Sequence, residues 1–406
     1  MKHLHLDFET FSEAELKDVG AYRYAFDPST EILCAAMALG DESPSIWHRF
    51  QREAVMPLFQ PYWDALQNPS VLIYCHNAMF EMAICQALLQ KTWGIPCPDL
   101  SRFRFTMSLA RRASLPGKLE TLAEVLGLQA KKDNRGKALI KKFSVMQSAK
   151  KPTKKFPEGQ PPRRIRPEDD PEAFAEFCAY CAQDVRVEQE VARKLAYFDE
   201  PINNANYSLD AIINARGVPV NLKALRHAQK LIDEETELVS ARFRELTGFE
   251  ITQNAVFLKW LNAGGCILEN LQAETIETYL EENYFPTIFE PSTIAALRMK
   301  QTLAYASIKK VATMLACAGP HDNRVRGLLN HHGATTGRWT ASLVQFQNMR
   351  RTVALFRKDG KEVKSWSEDA YRMICNECSR EELELVYGPV LEVIANCIRH
   401  FVHDTL

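Results

Sequence analysis

The sequence predicts a mixed α/β domain over roughly the first half of the chain and a mainly α-helical region after it. Three observations carry this. Residues 3–9, His-Leu-His-Leu-Asp-Phe-Glu, alternate polar and apolar with the period of two of a half-buried strand. A second strand-like run at 71–75 and helical stripes on either side of it follow before residue 200. Beyond about residue 200 the pattern changes to long helices.

In the first strand Leu4, Leu6 and Phe8 face one way and His5, Asp7 and Glu9 the other, so both carboxylates share one face. Val71-Leu72-Ile73-Tyr74-Cys75 reads as a buried strand. From Ala78 a helix is expected, with Phe80, Ala83, Ile84, Ala87 and Leu88 as its apolar stripe; Asn77 and Glu81 lie one turn apart on a common face. Leu115-Pro116-Gly117-Lys118-Leu119 opens an amphipathic helix through Leu122, Val125 and Leu126. Phe174, Phe177, Cys178, Cys181 and Val185 mark a helix that also carries Tyr180 and Asp184, again four apart. After an extended entry at 217–221, Asn221 N-caps a helix running to about Leu246. Phe257, Trp260 and Leu261 mark the next, ended near Gly264-Gly265. A third spans Ile294 to Leu315, with Leu297, Leu303, Ile308, Val311 and Leu315 inward and Lys300, Lys309 and Lys310 outward.

With 406 residues the chain has room for two or three domains, and 46% hydrophobic with 25% charged residues indicates a soluble, folded protein. A net charge of −1 does not announce a nucleic-acid binder. Eleven cysteines, an odd number without a secretory signal, point to reduced thiols in a cytoplasm. No apolar run approaches membrane-spanning length, so no membrane association is expected. Cys178/Cys181 and Cys375/Cys378 form C-x-x-C pairs, but the first is inward-facing on a helix and the second is remote, so packing is the stronger reading than zinc. Charge is concentrated between Lys131 and Arg166, where thirteen Lys and Arg are opposed by Asp133 and Glu158 alone. This stretch is rich in proline and lies between two acidic segments. It reads either as a solvated linker or, with slightly more weight, as a loop that holds single-stranded DNA.

The acidic segments carry the chemistry. Asp7-Phe8-Glu9, Asn77 through Glu81, and Tyr180 through Asp184 can bring four carboxylates and a tyrosine to one point, which is what a pair of divalent metals needs. A metal-dependent phosphodiesterase is the leading idea. Each piece alone is common: D-x-E on a strand is usually a solvated face, and Y-x-x-x-D recurs on helices. The three together, in this order and on these elements, are far more specific. The set resembles the proofreading 3′→5′ exonuclease domain of family A DNA polymerases, within the DEDD nuclease superfamily, whose tyrosine subtype has Tyr four residues before the last Asp.

That resemblance implies a ribonuclease-H-like exonuclease domain over residues 1–200. It implies that Asp7 bridges two Mg²⁺ or Mn²⁺ ions, that Glu9 and Asp184 complete the ion holding the attacking water, and that Glu81 supports the second. Tyr180 would orient the water and Asn77 would help place the terminal nucleotide. Many members have Asp at the position of Glu81; the extra methylene changes reach, and activity is expected to survive it.

Residues 201–330 then resemble the helical thumb of such a polymerase. Gly333-Ala334-Thr335-Thr336-Gly337-Arg338-Trp339 followed by Gln345-Phe346-Gln347-Asn348 resembles the T-G-R…Q-N signature at the start of the palm, where Arg338, Gln347 and Asn348 would contact primer-template DNA. Residues 331–406 therefore read as an incomplete palm start. The later palm and fingers segments are missing, His403-Asp404 is a chance match, and primer extension by this chain alone is not expected. The resemblance is closest to phage and prophage polymerases. The expected function is 3′→5′ removal of nucleotides from single-stranded DNA ends during replication, in a bacterial or phage-infected host. The alternatives are one subunit of a split polymerase, with a second chain supplying palm and fingers, and an inactive DNA-binding prophage remnant. The apolar run from Ile394 to Val402 is expected to need a partner or further sequence to cover it, or to drive aggregation.

Overall fold

The computed structural model describes residues 3–51, 53–128, 135–149, 161–282, 291–304, 306–350, 357–358, 361–362 and 366–402. Lys131, Lys132, Asp133, Lys150, Lys151, Lys154, Lys155, Glu158 and the His403-Asp404 pair lie outside them. The chain divides into two compact units that are interleaved in sequence: Met1–Val218 with Cys317–Gln345, and Pro219–Ala316 with Phe346–Leu406. The sequence, by contrast, suggested three consecutive blocks.

The first unit is built on a mixed five-stranded sheet in the order β3-β2-β1-β4-β5, with β1 His3–Phe11, β2 Glu31–Leu39, β3 Ser45–His48, β4 Leu72–Cys75 and β5 Phe103–Phe105. β1 is central. It runs antiparallel to β2, which is antiparallel to β3, and parallel to β4, which is parallel to β5. The alternation read from the sequence is realised: Leu4, Leu6 and Phe8 enter one apolar core with Ile73 and with Met82, Ala83 and Ile84 of the helix Ala78–Trp93. On the other face Phe11, Leu33, Cys34, Ala36 and Ala38 form a second core with Phe174, Phe177, Tyr180, Cys181 and Val185 of the helix Pro171–Lys194, and with Leu139 and Phe143 of the helix Gly136–Phe143. The small side chains of β2 leave room for that helix layer. Residues Phe174, Phe177, Cys178, Cys181 and Val185 are all buried, as their spacing requires. The short helix Leu119–Val125 forms where expected, although Val125 faces solvent at 56% exposure.

The helix Pro201–Arg216 belongs to this unit. Tyr207 stacks on Phe105, ring centres 6.0 Å apart. The returning segment docks against the same helix. Trp339 Nε1 donates to Asp210 at 2.8 Å and Asn214 Nδ2 donates to the Leu329 carbonyl at 3.0 Å, while His331 meets Ser108 Oγ of the helix Thr106–Arg112 at 3.0 Å.

The second unit is helical. Leu222–Thr247 starts where its cap was read: Asn221 accepts from the Ala224 backbone N–H at 3.1 Å and donates to the Tyr371 hydroxyl at 2.9 Å. Asn254–Ala263 follows, and Phe243, Phe257, Leu261, Ile276, Ala296 and Leu297 form its core. The single helix expected over 294–315 is two, Pro291–Leu303 and Ala306–Cys317. At the break Ala304 closes a tighter turn on Gln301 at 3.0 Å. The apolar run near residue 394 does not await a cover. Val390–Cys397 is a buried helix packed against Leu222–Thr247, Ser367–Cys375 and Arg380–Tyr387, and Ile394, Ile398 and Phe401 are fully buried.

Candidate functional site

β1 outruns its parallel partner. Its last pairing with β4 is His5 with Tyr74, so Asp7 and Glu9 project beyond the carboxyl end of β4, where open α/β sheets form their crevices. On the other edge Asp7 lies beside Ala36 and Glu9 beside Cys34, and the register slips immediately afterwards, leaving Leu33 as a bulge next to Glu9. β4 turns through His76 and Asn77 into the helix Ala78–Trp93. His76 fixes that turn by bonding Thr106 Oγ1 at 3.1 Å and the Gly117 carbonyl at 2.9 Å. Asn77 stands at the helix N-cap, exposed, and its side chain makes no capping bond. Glu81, in the first helical turn, is only 3% exposed, and its Oε2 has no hydrogen-bond partner among the described residues.

The helix Pro171–Lys194 brings the third segment. Tyr180 is 3% and Asp184 9% exposed, and the Tyr180 hydroxyl bonds the Asp184 carboxylate. Burial, then the charges of Asp184 and Glu9, push the Tyr180 phenol far above its ordinary range, so it remains a proton donor at any working pH. Burial and the neighbouring Asp7 carboxylate likewise raise the Glu81 acid. Asp7 thus lies within electrostatic reach of Glu81 on one side and of Tyr180 on the other, and Tyr180 also feels Glu9 and Asp184. Asn77 adjoins them through the Glu81 helix.

Two further features went unread in the sequence. Cys181 directs its thiol at Asp7 Oδ2, 3.4 Å away, and burial, followed by the charges of Asp7 and Glu9, pushes its pKa up. It reads in sequence as one more apolar stripe residue. His5 Nδ1 pairs with Glu188, and both are buried. A signal existed here: His5 precedes Asp7 on the same strand face, and Glu188 continues the four-residue series Tyr180, Asp184.

An oxygen-only donor set suits a hard divalent cation, and the orphaned Glu81 oxygen is an acceptor lacking its charge partner. Among the described residues, no three acidic, Cys or His side chains already stand close enough to clasp one ion.

The basic stretch is partly neutralised. Arg135 pairs with Glu176, Lys137 with Glu120, Lys142 with Asp170, and Arg164 with Glu31 while stacking over Phe11 at 3.8 Å. The segment around Arg163 is tied down by bonds with Gln147. Arg338 is exposed on a turn that Gly337, at φ +77°, makes possible, and Trp339 anchors that turn to Asp210. Gln347 and Asn348 are exposed on a short 3₁₀ turn, Phe346–Asn348, of the second unit. All eleven cysteines are unpaired, and among the described residues no helix is long and apolar enough to cross a membrane.

Comparison with known proteins finds a DNA polymerase to which the chain is similar over nearly its whole length. The relative is the DNA polymerase of Bacillus phage SP02, 34% identical over 403 residues. The match takes in 98% of this chain and 57% of the relative, so the chain spans little more than half the relative's length. No family model matches. Among solved structures, the POL domain of Pol1 from M. smegmatis, in complex with DNA primer-template and dNTP, aligns with a TM-score of 0.45 at 13% identity, over 88% of this chain and 53% of that one.

Proposed function

We propose that the first unit is a 3′→5′ exonuclease that removes nucleotides from single-stranded DNA ends, as the editing part of a phage-type DNA polymerase acting in replication. The observation that carries this is the gathering of Asp7, Glu9, Glu81, Asp184 and Tyr180 at the end of β1, in a homologue of a phage DNA polymerase. The mixed sheet with its acids at the end of the central strand supports a ribonuclease-H-like reading of residues 1–200. Residues 201–330 and 331–406 would be thumb and palm start.

Asp7, Glu9, Glu81 and Asp184 would hold two Mg²⁺ or Mn²⁺ ions. When bound, such ions supply Lewis-acid activation of water and stabilise the leaving 3′ oxygen. The protein's own groups do the rest. Tyr180, kept protonated and aimed by its bond to Asp184, accepts from the attacking water and orients it. Asn77, uncommitted to its helix cap, bonds the terminal nucleotide. Glu81, whose Oε2 has no hydrogen-bond partner among the described residues, offers that oxygen to a cation. An unpaired 3′ end reaches the site more readily than a paired one because less stacking and pairing must be broken, which is the basis of editing.

Manganese titration tests the metal set. Two Mn²⁺ per chain are expected, with binding weakened at least tenfold in Asp7→Ala. Binding that is indifferent to Asp7→Ala contradicts the assignment. A second reading is favoured by the exposure of Arg338, Gln347 and Asn348, as contacts to primer-template DNA require. Here the chain serves a DNA polymerase whose remaining palm and fingers lie on another polypeptide. Primer extension that needs that second polypeptide supports it.

A further inference from the structure

We infer that Gly136 is a positioning residue for Tyr180: the absence of a side chain at 136 sets where the phenol stands in the site. This rests on the nuclease reading above. Gly136 is buried at the start of the helix Gly136–Phe143. A Cβ added there would lie 2.5 Å from Tyr180 Cζ and 2.7 Å from Cδ2, and closer still to Cε2. Carbon atoms do not approach so near, so the ring or the helix would have to move. The contact is with the hydroxyl-bearing edge, so any shift carries the oxygen with it.

The backbone itself does not call for glycine. Gly136 is not among the residues with positive φ, and alanine is the better helix former. The close approach to Tyr180 is what excludes a side chain. The rest of the helix fixes the ring from further along: Phe143 stacks on Phe177 with centres 5.6 Å apart, and Phe177 lies parallel to Tyr180 at 6.5 Å. One helix therefore grips the Phe177–Tyr180 pair at both of its ends. Displacing a group that orients a reactant by about 1 Å can cost about a hundredfold in rate.

The test is a double-mutant cycle over Gly136→Ala and Tyr180→Ala, with kcat and KM measured separately on 5′-labelled single-stranded DNA. Gly136→Ala is expected to lower kcat by roughly 10- to 100-fold with KM within about twofold. Added to Tyr180→Ala it is expected to cost nothing further, because removal of the phenol leaves the space open. The melting temperature should follow the same cycle, falling when Gly136→Ala is made in the wild type and showing no further fall when it is added to Tyr180→Ala. A wild-type kcat in Gly136→Ala overturns the inference. So does an equal loss in both backgrounds, which would mark a general folding defect, or a raised KM with unchanged kcat, which would mean that the helix yields and not the ring. If the wild type shows no metal-dependent digestion at all, the nuclease reading fails and this inference with it; digestion by wild type and Gly136→Ala alike refutes the inference alone.

Discussion

Asp210 holds its proton to about pH 6 because burial strips water from its carboxylate, against opposing hydrogen bonds from Trp339 and Asn214. The ordinary value is 3.8, so the folded protein binds this proton more tightly than the unfolded chain does. Its contribution to stability is complete below about pH 3.8 and is lost as pH rises through about 6, at most about 3 kcal/mol. We expect urea midpoints of Asp210→Asn to lack the decline that this group gives the wild type between pH 4 and pH 7; identical pH dependence in the two proteins contradicts the assignment. At this scale the spacing of the candidate acids was legible and the groups packed around them were not. Spacing alone puts Asp7 with Glu9, Asn77 with Glu81, and Tyr180 with Asp184, because strand and helix periods are local. The thiol of Cys181 on Asp7, the His5–Glu188 pair and the fit of Gly136 against Tyr180 depend on which face of one element meets another.

Asn221 shows how much one element can owe to its first residue. It caps Leu222–Thr247, donates to Tyr371, and its backbone N–H bonds the Phe401 carbonyl at 2.9 Å, so the start of the long helix is pinned to the C-terminal helices. Asn221→Ala should lower the stability of the helical unit by about 1–2 kcal/mol through the lost cap, with the loss of the Tyr371 bond adding to it. Chemical denaturation followed by helical ellipticity measures it, and a change below about 0.5 kcal/mol would show that the cap is solvated instead. The cap was readable because Asn before a periodic apolar run is a local signal. The break between Pro291–Leu303 and Ala306–Cys317 was not, because apolar residues recur on both sides of it with no Gly or Pro between them. The buried C-terminal helix was misread for a related reason: an apolar run states that something covers it, not whether the cover comes from the same chain.

For the molecule as a whole, the interleaving of the two units is a long-range fact. Residues 317–345 return to the α/β unit through Trp339, His331 and Leu329, each meeting a partner more than a hundred positions away. Turn chemistry in Gly333–Trp339 is visible in sequence, but the docking surface on Pro201–Arg216 is not, since Asp210 and Asn214 read there as ordinary polar positions. The basic stretch shows the same limit of local reading. Its charge density suggested a DNA-holding loop, while several of its described cations already face carboxylates on neighbouring elements.

The central claim is that the acids at the end of β1 make this chain a nuclease. Its most direct test is digestion of a 5′-labelled single-stranded DNA with Mg²⁺ or Mn²⁺, wild type beside Asp7→Ala. A ladder of products shortened stepwise from the 3′ end, reduced at least a thousandfold in the variant, is the predicted result. Soluble, folded wild-type protein that leaves the DNA intact, or digestion that survives Asp7→Ala, would contradict it.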